Sequence, residues 1–245
     1  RIDRGRQGWW DHTWSNNPLV YRYLRTRPRW KGLPAWLWIA ASVSLFGMVM
    51  SCVEPGAGLA LAFYTLFLHG MVACLAHVNF LYQENLKKNM DSLVGALDVR
   101  ELVDGLAQVA YLPRIKELAL ATLPILAIEA LPQNRHGWLV DVGILVVFLT
   151  VPVLMAMHWL SSHVNVWFSL KSYRDSLPPM LVCLAPLCTY FVLFGLLMTN
   201  ALFCSELLYP VLGRAAILGG GLTFMASVSL TGAIFRQMSL GTVRR

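Results

Sequence analysis

The chain has 245 residues, 57% of them hydrophobic and 13% charged, with a mean hydropathy of +0.56. A soluble domain carries about 25% charged residues, so this composition excludes a water-solvated globule and makes lipid the solvent for most of the chain. The formal charge of +7 does not point to nucleic acid, because the basic residues fall between apolar runs and form no tract interleaved with exposed aromatics.

The first thirty residues are polar, basic and Trp-rich, without the apolar core and small-residue cleavage site of a signal peptide. The chain opens at Arg1, and the expectation is a leader or an upstream domain before it. Asn17 is placed to cap a helix that Pro18 begins. Leu19, Val20, Tyr23 and Leu24 share one face of that helix, while Arg22, Arg25 and Arg27 lie toward the others, with Tyr21 between. Such a basic amphipathic helix suits the membrane interface and its lipid headgroups. Pro28 ends it, and Trp30, Trp36 and Trp38 anchor the first span at the headgroups.

Six apolar segments come next, at Leu33–Val53, Ala57–Tyr82, Ile115–Leu131, Trp138–Leu160, Met180–Phe203 and Val211–Phe235. The third is short and carries Glu117 and Glu129 near its ends, which fits a tilted or partly interfacial helix. With a cytoplasmic N-terminus, 18 of the 20 Lys and Arg residues fall on the cytoplasmic side, leaving Arg135 and Arg214 outside. The expected fold is therefore all-α and polytopic, with six transmembrane helices and both termini cytoplasmic. Residues 1–32 form the basic segment with its interfacial helix, and residues 33–245 the transmembrane domain. A cytoplasmic elbow at residues 83–114 interrupts that domain. The elbow reads as two short amphipathic pieces broken near Gly95–Asp98, the second capped by Asp98 with Glu101 three residues on.

Chemistry-bearing residues are few. His69, His77, His158 and His163 fall in or beside spans, where polar groups join helices by hydrogen bonds; a haem or metal site on them is the sharper alternative. Glu129 and Asp141 flank an external turn that supplies Arg135. Gly219, Gly220 and Gly221 permit close helix approach in the last span, and Pro124, Pro152 and Pro186 predict kinks. The cysteines Cys52, Cys74, Cys183, Cys188 and Cys204 show no metal spacing and read as packing residues, with a Cys52–Cys204 disulfide open by position. No nucleophile, base and acid fall together, so no catalytic residue, metal ligand or cofactor is assigned and the chain is not expected to be an enzyme.

Three stretches in order carry a resemblance. Asn17-Pro18 is followed by Tyr21-Arg22-Tyr23-Leu24-Arg25; Glu84 is followed by Ser92-Leu93-Val94, Ala96-Leu97, Arg100-Glu101-Leu102 and Gly105; and Phe168-Ser169-Leu170-Lys171-Ser172-Tyr173-Arg174 comes after the fourth span. Together they resemble the membrane permeases of type-2 ABC exporters. Two departures are that Ala96-Leu97 replaces a Thr-Pro turn and that the last external connection is only Cys204–Pro210. The resemblance implies a permease subunit in a bacterial-type inner membrane, paired with a second permease half or a second copy. A cytoplasmic ATPase would dock on Ser92, Leu93, Val94, Leu97, Arg100 and Glu101. The chain has no GxxxxGK[ST] phosphate loop, so ATP hydrolysis would belong to that partner. The alternatives are a diverged structural or assembly subunit of a membrane complex, and a haem-bearing redox subunit.

Overall fold

The computed structural model describes residues 17–20, 35–54, 57–86, 89–111, 138–175 and 178–244, together with Pro124 and Ala127. Among the described residues all regular structure is helical: α1 (Ala35–Val53), α2 (Ala57–Leu86), α3 (Asn89–Ala96), α4 (Val99–Tyr111), α5 (Trp138–Asp175), α6 (Pro179–Leu202), a π-helical turn (Phe203–Leu208), α7 (Tyr209–Leu212) and α8 (Arg214–Arg244). The expected third span lies outside the described residues apart from Pro124 and Ala127, as do Tyr21, Arg22, Arg25, Glu129 and Arg135.

The joints follow from local chemistry. Between α1 and α2 the chain turns at Glu54, whose carbonyl accepts from the Ala57 amide at 3.2 Å. Just after that turn Gly58 stands against the Gly47 carbonyl and Ser51 of α1, so the two helices approach backbone to backbone where all three residues are small. Pro179 opens α6 at a position where its missing N–H costs nothing. The connection from α6 to α8 stays helical through the π turn and α7 and reverses at Gly213, whose φ of 57° is open chiefly to glycine.

Two helical stretches, Met180–Leu212 and Arg214–Val243, are long and apolar enough to cross a membrane. Only 19% and 17% of their most apolar windows are buried within the structure, which is not how the core helix of a water-soluble protein sits. Leu45, Val53, Phe191, Val211 and Leu230 are each more than 60% exposed, while His69, His77, His158, Ser161, Ser162, His163, Asn165 and Ser169 are buried. Apolar surface outside and polar groups inside is the arrangement that lipid as solvent demands.

Helix α5 is the spine: α8 lies along it, and α2, α4 and α6 also pack on it. It runs well past the expected end at Leu160, because the polar residues Ser161, Ser162, His163, Asn165 and Ser169 are buried among neighbouring helices. Two apolar clusters result. One joins Phe67, Met157, Leu160, Tyr190, Phe224 and Val228 in the middle of the bundle. The other joins Leu19, Val20, Leu81, Leu102, Val103, Leu106, Val166, Leu170 and Leu240 at the end where the elbow sits. A buried polar layer separates them.

Several expectations change in the described structure. Cys52 is exposed and Cys204 is buried, and the disulfide open to them by position is not formed. Gly220 faces the Cys204 thiol and Gly221 faces Leu149, both close approaches, whereas Gly219 faces open space. Of the expected interfacial helix only residues 17–20 are described, and Leu19 and Val20 are buried, with 7% and 1% exposure, in the cluster that holds Leu102, Val103 and Leu106 of α4.

Candidate functional site: the elbow and its anchors

The elbow is α3 and α4, broken at Leu97 and Asp98. Asp98 ends the break by accepting the Arg100 amide on Oδ2 at 3.3 Å, and its carbonyl accepts the Leu102 amide at 2.9 Å, so α4 starts on an aspartate cap. Helix α4 is strongly amphipathic. Leu102, Val103, Leu106, Ala107 and Val109 are all at or below 2% exposure, which fixes one face of α4 to the bundle. The residues expected to meet a partner divide accordingly: Ser92, Val94, Arg100 and Glu101 are exposed, while Leu93 and Leu97 are half-buried against the second cluster.

Three polar anchors hold the elbow from behind. In the first, Asn17 Nδ2 donates to the Glu101 carbonyl at 2.6 Å while Asn17 Oδ1 accepts the Leu19 amide at 3.0 Å. One carboxamide thus caps the first helix and fastens it to α4. Gly105 makes room for it, since a side chain there would collide with the Asn17 amide. Asn17→Ala removes both bonds and is expected to cost about 1 kcal/mol, seen as faster amide hydrogen exchange at Leu19, which loses its acceptor, and over the start of α4.

The second anchor is an ion pair. Arg236 Nε and Nη2 donate to the two carboxylate oxygens of Asp104 at 2.5 and 2.6 Å, with both side chains about 30% exposed. A planar fork on a carboxylate fixes direction as well as distance, so α4 is held in one orientation on α8.

The third anchor passes through the buried layer. His77 Nδ1 accepts from Asn165 Nδ2 at 3.0 Å, which places the ring proton on Nε2, and Nε2 donates to the Leu106 carbonyl at 3.1 Å. The same Asn165 amide reaches Cys74 Sγ at 3.8 Å, and Cys74 lies 3.2 Å from Ser161 Oγ. A displacement of α4 therefore pulls on α2 and α5 together. This places His77 as interhelical hydrogen-bonding glue. Among the described residues no three His, Cys, Asp or Glu side chains converge as a metal would need.

Beside these anchors the end of α5 is tied to α8 by Arg174 Nη1, which donates to the Thr242 carbonyl at 3.3 Å. Lys171 pairs with Asp175 at 2.5 Å, and its hydrogen bond draws the exposed Asp175 carboxyl below the usual range. The Phe168–Arg174 stretch thus closes the same end of the bundle.

Sequence reasoning found Asn17, Gly105, Glu101 and His77 separately but did not join them, and it passed over Asp104, Asn165 and the role of Arg236. A signal for Asp104 was present: it is an acid between Val103 and Leu106 in an amphipathic helix. No family model matches the chain, no curated protein is significantly similar to it, and no solved structure is significantly similar to it.

Proposed function

We propose that the chain is the permease subunit of an ATP-driven exporter of the type-2 ABC kind, a six-span bundle with cytoplasmic termini whose elbow takes force from a partner ATPase. The observation that carries this reading is the elbow's two-sidedness. Its tip offers Ser92, Val94, Arg100 and Glu101 to the outside, while its back is fixed to the first helix by Asn17, to α8 by Arg236 and to α2 and α5 by His77. A docked subunit that moves the tip would move these helices with it, which is what coupling requires. The ion pair and the buried amide bonds also supply a firm lever, since breaking either strands polar groups away from water. The bundle would work with a second permease half or a second copy of itself, in a bacterial-type inner membrane.

The short connection Phe203–Gly213, helical apart from its final glycine, favours a second reading, a permease-like subunit retained for structure or assembly. Purification of the tagged chain in mild detergent separates the two. The permease reading predicts a co-purifying nucleotide-binding subunit and ATP hydrolysis in the eluate. Arrival with integral membrane proteins alone would leave the structural reading.

A further inference from the structure

Helices α6 and α8 both lean on α5 and diverge from each other, leaving a groove of about 760 Å³ floored by Leu160 and Phe224. That volume lies within the range of about 300 to 1,000 Å³ typical of small-molecule sites. Its polar lining is arranged in levels. Gly220 of α8 stands beside Asn200 of α6 and Cys204 of the π-helical turn, so in the antiparallel pair Thr199, Asn200 and Thr223 share the level nearer the Gly213 turn. Thr189 and Thr231 share the level nearer the elbow, and Ser227 lies between. Along α8 the hydroxyls at Thr223, Ser227 and Thr231 recur every fourth residue, a rise of about 6 Å per step.

The hydrogen-bond state of these hydroxyls decides what they accept. Thr189 already donates to the Ala185 carbonyl at 2.7 Å, Thr199 to Gly195 at 2.9 Å, Ser227 to Thr223 at 2.9 Å and Thr231 to Ser227 at 2.8 Å. A hydroxyl has one proton, so towards the groove these four present oxygen lone pairs only. No Asp, Glu, Lys, Arg or His is among the described residues lining it. Asn200, whose Oδ1 accepts from the Cys204 thiol at 3.8 Å, adds one amide donor at the level nearer the Gly213 turn. The rest of the polar wall offers acceptors, with no cation among its described residues to balance an anionic head and no carboxylate to demand a cation.

We propose that this groove binds a lipid-like amphiphile whose uncharged head donates several hydrogen bonds, as a sugar-bearing lipid does, with its tails left in the surrounding bilayer. Ser227 lies between the two richer levels, so a head that changes depth along α8 keeps a hydroxyl acceptor beside it at each step. Reading this amphiphile as the cargo rests on the exporter function proposed above; the binding itself does not.

The test uses the full chain in phosphatidylcholine nanodiscs, doped with one of two diazirine-tailed probes that share their tails: a monoglucosyl diacylglycerol, or a phosphatidylcholine, whose head has no donor. After illumination, labelling is mapped to peptides of α6 and α8. The glucosyl probe is expected to label them at least about threefold more, the preference that one intramembrane hydrogen bond of average strength gives. Thr223→Val with Thr231→Val keeps the shape of the wall and is expected to lower that preference, with Thr189, Thr199 and Ser227 supplying what remains. Equal labelling of the parent chain, or an unchanged preference in the double variant, overturns the proposal. Selective labelling in a preparation that brings no ATPase would uphold the lipid site while the exporter reading failed; an ATPase without selective labelling would do the reverse.

Discussion

Replacing Asp104 by alanine is expected to destabilise the protein by about 2 kcal/mol, the scale of a hydrogen-bonded charged pair, and to loosen the elbow before the rest of the bundle. Two bonds are lost together, because Arg236 grips both carboxylate oxygens, and the guanidinium then lies on α8 without its bidentate partner. The 30% exposure of each side chain lets water recover part of the loss, which keeps the figure below that of a fully buried pair. Thermal unfolding in detergent measures the total effect, and limited proteolysis locates it at α3 and α4. The exchanged pair, Asp104→Arg with Arg236→Asp, is expected to recover at least half of the loss. Melting unchanged in Asp104→Ala would mean that the pair is incidental and that the apolar face of α4 alone holds the elbow.

Gly70→Val is expected to cost about 3 kcal/mol, at the upper end of what overpacking does to a filled core. A β-carbon on Gly70 would fall on the Tyr190 hydroxyl and ring. That ring cannot swing away: it is fully buried, near-parallel to Phe67 at 6.1 Å and tilted against His158 at 5.6 Å. Gly195→Val is the control. Gly195 also lies inside a long helix, but a β-carbon there meets nothing within 4 Å, and the change in helix propensity is the same. Its melting temperature is expected to stay close to that of the parent chain. Equal losses in the two variants would mean that backbone propensity, not the contact between α2 and α6, sets the cost.

The two positions also illustrate what the sequence could and could not reveal. Periodicity and apolar length placed α1, α2 and α6 within a few residues, because long uninterrupted apolar runs such as Pro179–Leu202 mark them; α8 was found at its start but runs to Arg244, past the expected Phe235. The same criterion stopped α5 at Leu160. Hydropathy falls at Ser161, and only the packing of α2 and α4 over this stretch makes Ser161, His163 and Asn165 interior residues. The elbow's break was visible through Asp98, which caps locally. Its anchors were not: Asn17 meets Glu101 84 positions away, His77 meets Asn165 at 88 and Asp104 meets Arg236 at 132. Pairings of that separation are set by how helices pack, and one sequence contains no record of them. The hydroxyl levels between α6 and α8 are similar, since the spacing of Thr223, Ser227 and Thr231 is plain in the chain but the groove facing them is not.

The elbow as the contact for an ATPase is tested most directly by recovery of ATPase with the tagged chain, compared across the parent, Glu101→Arg and Leu93→Asp. Glu101 is exposed at the tip, so its reversal leaves the fold intact. Leu93 is half-buried and packs on the second cluster, so its variant must first be shown to melt as the parent does. The prediction is that the parent brings an active ATPase and that both substitutions release it without altering the yield of folded chain. An ATPase that stays bound to both variants would contradict the elbow as the docking site, and a parent chain that brings none would contradict the exporter itself.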